Sequence, residues 1–369
     1  MYTQLLRPLL FRLDPERAHH LTLNALRVVA VLPFGLRWLG SIFAEVTDSR
    51  LEVEAFGLKF KNRVGLAAGY DKNGVAVRGL GALGFGHIEI GTVTRIPQLG
   101  NPKPRVHRVR EVQGVINSMG FPNEGVEALI RSMKFEGRRM KESPSSFTHH
   151  PSSFRIGINI GKSKDTPVER AAEDYCALLE QVAPYADYVA INISSPNTMN
   201  LRQLQAKSSI VGLLREIART RGAWNVEHEM SNVRAACQTS NLPVLVKLAP
   251  DLSESEIDDV LDAIAQTGID GVIATNTTLA REGLPSYVQS LKGGLSGAPL
   301  AARSTQVIRH IAKQTQGKLP IIGVGGIMTP QDALAKLDAG ATLVQVYTGM
   351  IYAGPGLVRD INKSAISRL

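Results

Sequence analysis

From about residue 60 onward, short apolar runs recur along the chain, each closing on Gly, Asn, Ser or Thr and followed by a segment long enough for a helix. Eight such runs read as strands. They are RVGLAAG at 63–69, HIEIGTVT at 87–94, RIGINIG at 155–161, YVAINIS at 188–194, VLVKLAP at 244–250, GVIATNTT at 271–278, IIGVGG at 321–326 and LVQVYTG at 343–349. Helical periodicity fills most of the gaps, as at Val168 to Val182, Ser253 to Gln266 and Thr329 to Ala339. Eight strands alternating with helices predict an α/β fold of the closed (β/α)8 TIM-barrel type. A doubly wound open sheet is the alternative, but no GxGxxG opens a helix after the first strand.

Two regions break the rhythm. Residues 95–153, between the second and third strands, are far longer than an ordinary connection and predict a lid or excursion over the barrel mouth. Their tail, Lys134 to Ser153, is rich in charge, Ser and His and reads as a surface insertion without chemistry; His149 and His150 read as solvated loop residues. Before the barrel, LEVEAFGLKFKN alternates around Gly57 as a short hairpin would, closing the barrel floor. Residues 1–40 form a separate unit of two short amphipathic helices, with apolar faces from Leu5 to Leu10 and Leu21 to Leu32 and DPERAHH as a capping stretch between them. Residues 41–369 are the barrel unit.

Charge sharpens this division. Five arginines against two acids give residues 1–40 a formal charge of +3, and an apolar face with a basic rim suits either an interfacial membrane anchor or a helical extension packed on its own barrel. The whole chain carries +9, which favours anionic partners. With 5% aromatic residues and no basic–aromatic ladder, a small anionic ligand is a better fit than nucleic acid. Cys176 and Cys237 lie far apart with no CxxC or Cys/His spacing, so neither a structural metal nor an iron–sulfur segment is expected. The run Leu21 to Leu39 is broken by Asn24, Arg27, Pro33, Gly35 and Arg37, too often for a membrane-spanning helix.

Barrel chemistry sits at the carboxyl ends of the strands, and polar residues are dense there. Asp71, Lys72 and Asn73 follow the first strand; Thr92 and Thr94 end the second, Asn159 the third, and Asn276 and Thr277 the sixth. INISSPNT at 191–198 ends the fourth. Alternation along an extended chain sends Asn192, Ser194 and Pro196 to one side and Ser195 and Asn197 to the other, and Pro196 stops the strand. SSPN taken alone also serves as a strand end capped by turn residues. Lys247 lies within the apolar fifth strand, where an unpaired ammonium costs several kcal/mol, so something anionic should meet it. GVGG at 323–326 and YTG at 347–349 end the seventh and eighth strands, where barrels bind phosphate. Together with Lys247 they favour a flavin mononucleotide over a bare sugar phosphate.

These segments also carry a resemblance. DPERAH, GLAAGYDKNG, EIGTVT, NPKPRVHR, INSMGFPN, INISSPNT, VKLAPDL, ATNTT, GGLSGAPL, IIGVGGI and VQVYTG, in that order, resemble the quinone-dependent, membrane-associated second class of dihydroorotate dehydrogenases. The segment at about 134–153 departs from the family's usual length, outside every motif. The resemblance implies oxidation of dihydroorotate to orotate in pyrimidine biosynthesis, with a hydride passing to FMN and electrons passing on to a membrane quinone. Ser195 takes the base position, where the soluble class has Cys. An alcohol is a poor base in water, so it is expected to act in a relay within a closed site, with Thr198 or a water passing the proton on. The resemblance further places Lys72, Asn117, Asn192, Asn197, Asn276 and Thr277 on orotate, with Ser118, Met119, Gly120 and Phe121 closing over it. For FMN it implies Ala68, Gly69, Tyr70, Asp71, Lys72, Thr92, Asn159, Asn192, Lys247, Thr275, Gly297, Gly326, Tyr347 and Thr348. His19 and Arg105 are placed on a quinone tunnel entered through residues 1–40. The expected state is a monomer, peripheral on the cytoplasmic face of a bacterial cell membrane, since no Arg/Ser-rich transit segment precedes the helices. Competing readings are another FMN barrel with a nicotinamide site and a non-catalytic basic binding protein; the second leaves the polar strand ends without a role.

Overall fold

The computed structural model describes residues 2–44, 46, 48–142, 154–228 and 241–368. Thirteen strands occur among the described residues, and eight of them close the barrel. A hairpin, β1 (Val53–Ala55) and β2 (Leu58–Phe60), precedes them; Phe56 at φ 55° and Gly57 at φ 73° give it the left-handed turn that matches strand twist. The barrel then runs β3 (Val64–Leu66), β4 (His87–Val93), β7 (Arg155–Ile160), β8 (Tyr188–Asn192), β9 (Val244–Leu248), β10 (Gly271–Ala274), β12 (Ile321–Val324) and β13 (Leu343–Val346). All eight pairings are parallel, and β13 returns to β3 to close the ring. Every one falls inside a predicted run, and the helices Ala171–Val182, Glu254–Thr267 and Pro330–Asp338 match the periodic segments.

The excursion after β4 is structured. It supplies β5 (Val106–Val109) and β6 (Gly114–Asn117), which join β11 (Gly294–Gly297) from the loop after β10 in an antiparallel sheet. This sheet holds Asn117 opposite Gly294, and a bridge from Leu295 to Thr278 ties it to the end of β10. The tail read as a surface insertion without chemistry begins as packed helix. Helix Val126–Glu142 runs through its first nine residues, and Glu136 is buried against Arg78, accepting its backbone N–H at 3.1 Å and pairing with its Nε at 3.4 Å. His149, His150 and Cys237 lie outside the described residues.

At the amino end lie helices α1 (Arg7–Leu10), α2 (Pro15–Val29) and α3 (Gly35–Phe43), and Leu23 and Leu39 join the main apolar core beneath them. Asp14 caps α2 by accepting from the N–H groups of Glu16 and Arg17, and Pro15 takes the first helical position, where no donor is needed. DPERAHH therefore starts the long helix instead of linking two, and α3 is an element the periodicity did not separate; it extends past residue 40. The unit docks where a Cβ on Gly79 would come within 2.7 Å of the Leu26 carbonyl oxygen. Ten of the seventeen large apolar side chains left exposed among the described residues lie between Leu5 and Trp38, so its outer face is uncovered.

Within the barrel, alternation sorts the interior into layers. Leu58, Phe60, Tyr188, Leu245, Ile273 and Leu343 fill the floor, so the hairpin does plug that end. Two residues further along three strands the interior turns polar: His87 gives way to Glu89, Leu245 to Lys247 and Leu343 to Gln345. Glycines leave room for the large floor residues. A Cβ on Gly65 would lie 2.1 Å from the His87 ring, and one on Gly157 2.1 Å from that of Tyr188. His87 is fully buried with neither ring nitrogen hydrogen-bonded, and burial pulls its pKa down to about 3, so it packs as a neutral ring.

Candidate active site

The polar layer forms the base of the site. Glu89, 0% exposed, accepts from Asn159 Nδ2 at 2.8 Å, Gln345 Nε2 at 2.8 Å and Tyr188 Oη at 3.4 Å, and meets Lys247 Nζ at 3.4 Å. It is the anion that Lys247 required, and it was missed in the sequence although HIEIGTVT displays an acid at an interior position of an apolar strand. From Glu89 a chain of amides rises toward the mouth. Thr92 Oγ1 donates to Asn159 Oδ1 at 2.5 Å, Asn192 Nδ2 donates to Thr92 Oγ1 at 2.9 Å, and Asn276 Nδ2 donates to Asn192 Oδ1 at 3.2 Å. Buried polar groups joined this way hold one another in fixed orientations, although Gln345 Oε1 in the same layer has no hydrogen-bond partner.

Above this base opens a cavity of roughly 990 Å³, counted out to its mouth. Its lining includes Ala68, Gly69, Lys72, Thr92, Asn117, Met119, Gly120, Phe121, Asn192, Ser195, Asn197, Lys247, Thr275, Asn276, Thr277, Gly297, Gly326, Tyr347 and Thr348. Those residues come from every quarter of the barrel rim, and the sequence had marked all of them. Among the described residues, Lys72 and Lys247 are the only charged ones in the lining. Burial pulls the Lys72 pKa down to about 8, and its Nζ donates to the Gly69 carbonyl at 2.7 Å. With Lys247 already paired to Glu89, Lys72 among amides and hydroxyls makes a donor set that suits an anionic, planar, hydrogen-bonding ligand.

One wall is stripped to backbone. Gly297, Gly325 and Gly326 have φ of 96°, 118° and 73°, and a Cβ at Gly326 would lie 2.3 Å from the Ala301 Cα. Gly326 must be glycine, and the exposed amides it leaves, beside the Thr348 hydroxyl, form a cradle for a phosphate. A flavin with a phosphate tail fits this donor set.

Four marked residues stand outside that lining. Asp71 is spent on the turn after β3, where its carboxylate accepts from the N–H groups of Val75 and Ala76. Asn159 lies behind Thr92, the Ser118 carbonyl is held by Asn101 Nδ2 at 2.8 Å, and Tyr70 faces a second cavity. The alternation expected through 192–197 also fails. β8 ends at Asn192, where pairing to Lys247 ends, and the chain then turns so that Asn192, Ser195 and Asn197 all reach the same cavity. Ser195 Oγ accepts the Asn197 N–H at 3.2 Å, and Thr198 Oγ1 is buried with no partner.

The second cavity, roughly 830 Å³, is walled by the amino-terminal unit on one side and shares Lys72, Asn117, Met119, Ser296 and Tyr347 with the first. Tyr2, Leu10, Phe11, Ala18 and His19 line it from the helical side. His19 packs edge-on to Tyr70 at 5.0 Å, and burial, aided by the Lys72 charge, lowers its pKa to about 3, so it is neutral. Arg105 is not in the lining. Its guanidinium is consumed by Glu16, at 2.6 Å, and by the carbonyls of Leu99 and Asn101; Glu16 is the member of that pair that borders the cavity. No group of three or more His, Cys, Asp or Glu among the described residues is placed to hold a metal, and no described helix is long and apolar enough to cross a membrane.

Comparison with known proteins gives concordant matches. The family model for dihydroorotate dehydrogenase matches residues 50–369. The dihydroorotate dehydrogenase (quinone) of Christiangramia forsetii is 46% identical over 368 residues, covering 100% of this chain and 99% of that protein. The protein of the same name from Acidithiobacillus ferrooxidans is 49% identical over 360 residues, covering 97% and 92%. The crystal structure of Eimeria tenella DHODH in complex with ferulenol superposes with a TM-score of 0.85 at 37% identity, covering 96% of this chain and 91% of that one.

Proposed function

The chain belongs to the dihydroorotate dehydrogenase family, and on that premise we propose how its residues divide the work: dihydroorotate is oxidised to orotate in the first cavity, and a quinone is reduced through the second. The reaction belongs to pyrimidine biosynthesis, and the family's enzymes are flavoenzymes. FMN is the flavin the site suits: Gly297, Gly326 and Thr348 would hold its phosphate, and Thr92, Asn192 and Lys247 its ring system. When bound it supplies the hydride acceptor, and Lys247 balances the negative charge that a reduced flavin ring carries.

The observation that carries this reading is the pair of cavities with a common wall, the first having only lysines for charge. Lys72 takes the substrate carboxylate, while Asn117, Asn192, Asn197, Asn276 and Thr277 address the ring's C=O and N–H groups. Ser195 Oγ receives the proton from the carbon beside the one that loses hydride. Its hydroxyl is oriented by the Asn197 N–H, which leaves a lone pair for the substrate proton, and the buried, unpartnered Thr198 hydroxyl, three residues on in the chain, is the group assigned to relay it. Met119 to Phe121 exclude water on the facing side. His19, neutral in the second cavity, and the apolar side chains around it suit a quinone ring arriving from a membrane surface against which the exposed face of residues 2–43 would rest. We further propose a monomer lying peripherally on the cytoplasmic side of the cell membrane, with the exposed apolar side chains between Leu5 and Trp38 turned to it.

The test is the reductive half-reaction. Ser195→Ala should purify with flavin absorption bands intact and bleach with dihydroorotate at least a hundredfold more slowly in stopped flow. Bleaching at the unaltered rate would remove Ser195 from the mechanism, and protein without flavin bands would remove the cofactor assignment.

A further inference from the structure

Two segments far apart in sequence frame the mouth of the first cavity, Ser118 to Phe121 on one side and Ser195 to Thr198 on the other. Asn101, in the loop between β4 and β5, touches both. Its Nδ2 donates to the Ser118 carbonyl at 2.8 Å and to the Asn197 carbonyl at 3.2 Å, and its backbone N–H donates to the Met119 carbonyl at 2.9 Å. Gln98 Nε2, three residues earlier, donates to the carbonyls of Gly120 at 3.1 Å and Phe121 at 3.0 Å. Every carbonyl from 118 to 121 is thus held by one short loop. Packing is close as well, since a Cβ on Gly120 would come within 2.8 Å of the Asn101 amide.

The facing segment is held across the mouth by two side-chain contacts at Asn197. Its carbonyl takes Asn101 Nδ2, and its own Nδ2 donates to Asn117 Oδ1 at 3.1 Å. The N–H of this same residue orients Ser195 Oγ. Asn101 is itself anchored from outside the site: its carbonyl accepts Arg105 Nη1 at 2.8 Å, and Arg105 is fixed by the buried carboxylate of Glu16 on α2. We propose that Asn101 is a positioning residue for dihydroorotate oxidation, setting the gap between the Ser118–Phe121 wall and the segment that presents Ser195. It touches neither reacting atom. It acts by holding the Asn197 peptide, and a displacement on the order of 1 Å in such a group costs about a hundredfold in rate. The inference rests on the functional reading above.

Asn101→Ala removes the donor, and Asn101→Asp keeps the volume while turning a carboxylate oxygen toward two carbonyls. Both should slow flavin bleaching by dihydroorotate by ten- to a hundredfold and raise the dihydroorotate KM, with Asp the worse. Flavin content, melting temperature and the rate of reoxidation by a short-chain quinone should match the parent protein, and amide exchange at Asn197 and Thr198 should quicken. Parental bleaching rates in both variants would overturn the proposal, as would equal losses in bleaching, reoxidation and melting temperature, which mark a general structural role. If Ser195→Ala bleaches slowly while the Asn101 variants are parental, this inference alone fails; if Ser195→Ala is itself parental, the failure lies in the reading beneath it.

Discussion

Replacing Lys247 by Met would leave the Glu89 carboxylate buried without its cation. At 3.4 Å and an effective dielectric of about 20, the gross attraction between the two charges is about 5 kcal/mol. Removing one partner of such a buried pair costs roughly 3–5 kcal/mol, because the remaining charge is neither solvated nor neutralised. Asn159 and Gln345 still donate to Glu89 at 2.8 Å each, which sets the expectation near the lower end, about 3 kcal/mol. Glu89→Gln should cost a similar amount by stranding the ammonium. The double variant carries no charge in this layer and should recover to within about 1 kcal/mol of the parent. Urea midpoints on flavin-free protein are the appropriate assay, since bound ligand would add its own stabilisation to every member of the cycle. Double-variant destabilisation equal to the sum of the two single losses would refute the reasoning, because uncoupled residues cannot be a buried ion pair.

Three further outcomes follow from named groups. Lys72 has a folded-state pKa lowered to about 8, so it is ammonium below that pH and amine above it. Orotate affinity, read from perturbation of the flavin spectrum, should be level below pH 8 and weaken above it, because ligand carboxylate binds only the protonated form; a level profile to pH 10 would release Lys72 from the carboxylate. Phe34 and Trp38 are 72% and 56% exposed on the outer face of the amino-terminal unit. Replacing both by Ser should cut co-sedimentation with anionic vesicles at least tenfold, each buried side chain contributing about 1.5–3 kcal/mol. Unchanged co-sedimentation would move the membrane contact elsewhere. Deleting residues 1–40 should abolish both vesicle binding and reduction of a long-chain quinone, and full activity with that quinone would dissociate the second cavity from electron exit.

The barrel was legible because its signal is local and repeated: an apolar run, a polar strand end and a helical stretch, eight times over. The strand ends were legible for the same reason. What the pattern could not supply was the contents of the interior, which depend on which strands face one another. Lys247 stood out as a cation in an apolar run, and the same test applied to Glu89 would have yielded its partner, since both alternate inward on strands of one closed sheet. The three-stranded sheet of β5, β6 and β11 was out of reach, because β11 lies in a loop nearly two hundred residues from β6 and shows no strand periodicity. Past Asn192, strand alternation misassigned the facing of Ser195 and Asn197. A period of two holds only while ladder hydrogen bonds keep the chain extended, and here they stop with the strand.

The position of Arg105 shows how the two cavities are tied together. As a cation beside a tunnel it would carry a large desolvation cost with no constant partner, whereas paired to Glu16 it is neutralised and rigid. In that setting it joins three things: α2 of the exposed apolar unit, the Leu99 and Asn101 carbonyls, and through Asn101 the walls around Ser195. The shared wall of Lys72, Asn117, Met119, Ser296 and Tyr347 brings the two cavities together in space. The Glu16–Arg105–Asn101 connection fixes their geometry with respect to each other. On the proposed division of work, with a polar anion at one mouth and an apolar ring at the other, both connections are needed, since a flavin held between them would meet each reactant in turn without moving.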